Sequence, residues 1–129
     1  MQEIKCYRDL DVWQLGMELV LDCYALTNRF PTFERFGLTS QTRRAAVSIP
    51  SNVAEGHNRR SPQSNNAYRN HVGIALGSDG ELDTLFEIAM RLGYIKGSDH
   101  SAAKEKVDRV GRMLRRLQQS LQTPTTSGR

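Results

Sequence analysis

The side chains from which catalysis or metal binding would be built are few and scattered in this 129-residue chain, which holds three histidines and two cysteines. His57, His71 and His100 share no ligand spacing, and Cys6 and Cys23 lack the paired spacing of a zinc knuckle or a disulfide framework. A di-iron centre in a helical protein needs Glu-x-x-His pairs projecting inward, and no glutamate here has a histidine three residues on. Ser48 lies in no nucleophile elbow, and neither cysteine has a base beside it in sequence. Glycines recur at Gly73, Gly77 and Gly80, but neither as GxGxxG nor as a Walker A loop, and no strand precedes them. The expectation is a protein that is not an enzyme and has no metal and no cofactor, with histidines and cysteines as packing or surface residues.

Basic side chains point to a different chemistry. The net charge is +4 and the pI near 9.4, which permits nucleic-acid binding without establishing it. Residues 1 to 40 are slightly acidic, whereas the positive charge gathers after residue 100. There Arg109, Arg112 and Arg116 fall within about 60° of helical arc, with Arg115 and Lys104 on the flank. This stripe is the strongest nucleic-acid candidate, and Arg43, Arg59 and Arg60 are candidates to extend it. The competing reading is a solvated face, because Glu105 with Arg109 and Asp108 with Arg112 stand at the i, i+4 spacing that pairs charges on a helix.

Four amphipathic segments must position these residues, near 9–29, 39–57, 62–92 and 98–121. Ser61 with Pro62 predicts the third start, Gly93 the third end and Ser98 the fourth start. The fourth segment carries one seam, Ala103, Val107, Val110, Leu114, Leu117 and Leu121. The first carries two: Leu10, Trp13, Met17, Val20, Leu21 and Tyr24 on one side, Val12, Leu15, Leu19, Cys23 and Leu26 on another. A four-helix bundle buries about one stripe per helix, so the second stripe predicts a homo-oligomer, with Val12, Leu15, Leu19 and Leu26 at the interface. The recurring glycines of the third segment predict close approach by a neighbouring helix, since each costs about 1 kcal/mol relative to alanine in an exposed helix. One all-α domain over 1–121 follows, with a disordered tail at 122–129. No apolar run is long enough to span a bilayer and no signal peptide is evident, so the expected address is cytoplasmic and no membrane partner is expected.

The second segment reads Gln41, Arg43, Arg44, Ala45, Ser48, Ile49, Pro50, Ser51, Asn52, Ala54, Glu55, Gly56, and the stretch "LGSDGELDTLFEIAMRLGYI" follows it. Pro50 removes one helical hydrogen bond, and Ser48, Ser51 and Asn52 are placed to satisfy freed groups. This combination resembles the four-helix-bundle proteins encoded in intervening sequences of bacterial large-subunit (23S) ribosomal RNA genes. It also resembles their relatives, the accessory variability determinants of diversity-generating retroelements. The resemblance implies an antiparallel up-down bundle assembled as a homopentamer, a basic surface for RNA or DNA, and in the retroelement branch a reverse transcriptase as partner. Arg44 and Glu55 share an outer face too far apart to pair within one helix, which makes them candidates for contacts across a subunit boundary. Asp79 and Gly80 depart from the apolar and small helix-forming residues usual in the family.

Two functions follow from these readings. The first is an oligomer that binds nucleic acid electrostatically, with little base readout because no recognition helix, RNP aromatics or zinc finger is present. The second is an oligomeric protein-interaction scaffold with no intrinsic nucleic-acid role.

Overall fold

The computed structural model describes residues 3–122, and every regular element among them is helical. The helices are α1 (Asp11–Thr27), α2 (Leu38–Asn58), α3 (Asn66–Arg91) and α4 (Gly97–Ser120), with 3-10 turns at Tyr7–Asp9 and Thr32–Glu34. Successive helices run antiparallel: Gly16 of α1 faces Ile49 and Pro50 of α2, while Cys23 lies beside Thr42. The ring closes where α4 packs back on α1. This is the four-helix bundle the periodicity predicts, with a core built from Leu19, Ile49, Val53, Val72, Leu82, Phe86, Val110 and Leu114.

The two stripes of α1 are assigned the other way round from the expectation. Val12, Leu15, Leu19 and Leu26 are buried in the subunit's own core, so they are not an oligomer interface. Met17, Leu21 and Tyr24 of the opposite stripe are exposed, Leu21 by 68%. A polar strip borders the inner stripe on the side of α4, where Lys106 reaches Asp22 at 2.7 Å and Glu18 at 3.5 Å.

The glycine expectation also changes. Nothing lies within 4 Å of a β-carbon added at Gly77 or Gly80, and at Gly73 the near neighbour is the Gln118 amide. Close approach occurs instead at Gly56, where a β-carbon would stand 2.8 Å from His71 Cβ and 3.2 Å from the Tyr68 carbonyl. Alanine there would drive α2 and α3 apart. Gly93 ends α3 at φ +79°, a left-handed conformation that costs glycine little.

Two helix starts fall later or earlier than expected. Ser61 and Ser64 bond each other across a turn, and the Ser64 hydroxyl accepts from the Asn66 amide at 3.0 Å, so α3 opens at Asn66 rather than at Pro62. Helix α4 opens at Gly97, with Lys96 rather than Ser98 in the capping position. Helix α2 runs unbroken through Pro50, and Asn52 donates to the Ser48 carbonyl at 2.9 Å. Of the tail expected from 122 onward, Gln122 bonds back to Gln119, and 123–129 lie outside the described residues.

Candidate nucleic-acid interface

Arg109, Arg112, Arg115 and Arg116 all lie exposed on α4, and among the described residues none of them forms an ion pair. The i, i+4 pairs that would have made this a neutralised face are not formed. Asp108 turns to Lys104 at 3.5 Å rather than to Arg112, and Glu105 pairs with nothing among the described residues. Lys104 is correspondingly removed from the candidate stripe. It bridges Asp83 at 3.3 Å and Asp108, and its hydrogen bond to Asp83 foremost raises its pKa. A lysine held by two carboxylates offers a phosphate little net charge.

The three further candidates each have partners within the subunit. Arg43 donates to Thr27 Oγ1 at 2.8 Å and Asn28 Oδ1 at 3.0 Å, with its guanidinium 4.5 Å from the Tyr24 ring centre. It ties α2 to the end of α1. Arg59 pairs with Glu55 at 2.6 Å, one turn back on its own helix. Glu55 therefore has a partner without a subunit boundary, and its carboxyl lies below the usual range because Arg59 donates to it. Arg60 donates to the His57 carbonyl at 2.6 Å and meets its Nδ1 at 3.0 Å. Arg44 is exposed beside Gln41, Ser48, Ser78 and Glu81.

The groove between α3 and α4 adds polar residues to the arginines. At its open end Asn66, Arg69, Asn70, Gly73 and Ile74 of α3 face Gln118 of α4 around a space of about 610 Å³. Midway, Arg112 and Arg115 line a second cleft of about 270 Å³ with Asp79 and Asp83. Asn66, Asn70 and Gln118 were not legible as site residues, because amides carry no spacing signal, and the one mark on Asp79 was its departure from the family pattern.

The residues considered for catalysis are apart from one another. Cys23 is buried and its thiol is pushed up to about 12 by burial, so it holds its proton; Cys6 is exposed rather than packed. His57 is buried against Tyr68, and desolvation followed by the Arg60 charge lowers its pKa. His71 bonds Asn52 at 3.0 Å, and His100 Nε2 lies 3.4 Å from Glu87. Among the described residues no three His, Cys, Asp or Glu side chains converge as a metal site.

The motif of α2 is largely explained as docking surface. Gln41 donates to Glu81 at 3.3 Å and Ser48 meets Ser78 at 2.7 Å, both toward α3, while Arg43 holds α1. Ala45 and Ile49 fill the core, and Gly56 permits the close crossing.

An antiparallel four-helix bundle with an arginine-lined groove between its last two helices is thus the class of protein the fold and surface define. The chain belongs to the 23S rRNA-intervening sequence protein family, whose model matches residues 8–116. Among solved structures it is similar to a protein of unknown function from the S23 ribosomal protein family of Bacteroides thetaiotaomicron VPI-5482. That match has a TM-score of 0.74 at 19% identity over 84% of this chain and 95% of the other. It shows the shared fold. No curated protein matches significantly. Among the described residues, no helix is long and apolar enough to cross a membrane.

Proposed function

We propose that this chain is a non-enzymatic cytoplasmic protein that binds RNA or DNA through the outer face of α4 and the adjoining α3–α4 groove, as a homo-oligomer. The observation that carries the reading is the set of four exposed arginines on α4 left without ion pairs among the described residues, while Asp108 is engaged by Lys104. Amides at Asn66, Asn70 and Gln118 extend the same surface with groups suited to phosphate and sugar. The family name favours RNA as the first ligand to test. Assembly as a homopentamer, implied by the resemblance, would multiply a modest patch by raising effective concentration. The exposed face of Met17, Leu21, Tyr24 and Val47, beside an apolar groove lined by Trp13, Val20 and Pro50, supports self-association. Fluorescence anisotropy at low salt tests the reading. Binding that weakens steeply with added salt is expected, and no binding of single- or double-stranded RNA or DNA at micromolar protein overturns it.

A second reading, a protein-interaction scaffold, is favoured by two aromatic side chains at one end of the bundle. Phe33 and Phe36 are 80% and 88% exposed on the α1–α2 connection. In the retroelement branch that the resemblance includes, the partner would be a reverse transcriptase. A pull-down after nuclease treatment separates the readings. A stoichiometric protein that stays bound when Arg109, Arg112 and Arg116 are reversed in charge supports the scaffold.

A further inference from the structure

We propose that the cleft midway along α3 and α4 is a pocket for a guanine base of single-stranded RNA. Asp79 would accept hydrogen bonds from the base edge, and Arg112 and Arg115 would hold the adjoining phosphate. The inference rests on the nucleic-acid reading above and adds base recognition to it.

Asp79 is the unexplained residue of the core. Only 6% of it is exposed, and its Oδ1 is enclosed with no hydrogen-bond partner. A buried carboxylate without partners costs folding free energy, and such groups recur where a ligand completes them. Room for this one comes from Gly111, where a β-carbon would stand 2.8 Å from Asp79 Oδ2. Gly80 leaves the next wall open, with nothing within 4 Å of its would-be β-carbon. The cleft of about 270 Å³ has Leu76 and Val107 as apolar walls and Asp83, Asp108, Arg112 and Arg115 around it.

This combination selects among ligands. An ionised carboxylate only accepts hydrogen bonds. Of the four RNA bases, guanine alone presents two adjacent N–H donors on its Watson–Crick edge, spaced for the two oxygens of one carboxylate. Adenine and cytosine set an acceptor beside their amino group, and uracil flanks one donor with two acceptors. Leu76 and Val107 can cover the flat face of a purine, and the unpaired guanidiniums of Arg112 and Arg115 suit its phosphate. A bare cation fits less well: Lys104 already occupies Asp83 and Asp108, and two arginines share the cleft.

Burial first, then the charges of Asp83 and Asp108, raises the Asp79 pKa to about 7, against a smaller opposing effect of Arg115. The charged groups around it are Asp83 from α3 and Lys104, Asp108, Arg112 and Arg115 from α4. Protonation turns the carboxylate into a donor on one oxygen, so guanine preference should fade as pH falls below neutrality.

The test compares a short uridine-only RNA with the same strand carrying one central guanosine, adenosine or cytidine, by anisotropy on the full chain. Guanosine should tighten binding about tenfold over uridine, with no gain from adenosine or cytidine. Asp79→Asn should melt no lower than the parent and keep the affinity for the uridine strand while losing the guanosine gain. Equal affinity for all strands overturns the pocket and leaves the electrostatic reading standing. Absence of binding to every strand overturns both. If Asp79→Asn weakens all strands equally, Asp79 is structural and the pocket is refuted. On the unaltered protein, guanosine monophosphate should shift the Gly80 and Gly111 amide resonances, and equal shifts with uridine monophosphate contradict the proposal.

Discussion

Glu34 on the α1–α2 connection accepts a 2.8 Å hydrogen bond from the Tyr94 hydroxyl on the α3–α4 connection, sixty residues away. Its other oxygen accepts from the Leu38 amide at 3.1 Å, capping the start of α2. One carboxylate thereby closes a helix end and joins two loops at the same pole. Glu34→Ala should cost about 1 kcal/mol through the lost cap, read by denaturant unfolding. Glu34 also raises the Tyr94 pKa, chiefly by accepting its hydrogen bond, so the same variant should move the alkaline titration of Tyr94 downward in ultraviolet absorbance.

Asp79 should give the stability curve an unusual slope. Its pKa is about 7 in the folded chain against an ordinary 3.8, so the folded state retains a proton that the unfolded chain releases. Its contribution is therefore fully present below about pH 4 and is lost as pH rises toward 7. Asp79→Asn should be more stable than the parent at neutral to alkaline pH, by on the order of 1–3 kcal/mol, and the gain should vanish in acid. Thermal melts of both proteins across this range give the difference directly. A constant difference at all pH values would contradict the burial argument.

Neighbouring cations on α4 should behave differently. Replacing Arg109, Arg112 or Arg116 by alanine should each reduce the slope of log affinity against log salt by up to about 1 for RNA. Lys104→Ala should leave that slope nearly unchanged, because Asp83 and Asp108 already neutralise this lysine. Equal effects at Lys104 and Arg112 would show that the ion pairs do not decide which cations are available.

Leu19 and Leu21 lie two residues apart on α1, one wholly buried and the other 68% exposed. Leu19→Ala should destabilise the subunit by about 2–5 kcal/mol, read by unfolding. Leu21→Glu should leave the helical content and melting of the subunit nearly intact while lowering the assembled mass in native mass spectrometry. A subunit that stays assembled with Leu21→Glu would move the self-association surface elsewhere.

The fold class was legible in the sequence because helical periodicity and glycine or serine breaks are local properties. They predict all four helices, the end of α3 near Gly93 and the core seam of α4, and Ala103, Val107, Val110 and Leu114 are indeed buried. Boundaries were less legible where a serine pair formed its own turn, as Ser61 and Ser64 do before α3. The arginines were visible as a stripe, but not their state. Spacing along α4 offers Asp108 to Lys104 and to Arg112 alike, and the structure pairs it with Lys104, which Asp83 of α3 also reaches.

By itself, then, the sequence determined that the chain is helical, that one face of α4 is rich in arginine, and that α1 is apolar on two sides. Only tertiary structure decided which side faces inward. Both stripes repeat with the same period, and the choice lies in how Val12, Leu15, Leu19 and Leu26 pack into one core with the other helices, with Lys106 meeting Glu18 and Asp22 at its border. Tertiary structure likewise set Asp79 against Gly111, thirty-two positions apart, since a partner supplied by another helix leaves no trace in the spacing along either one.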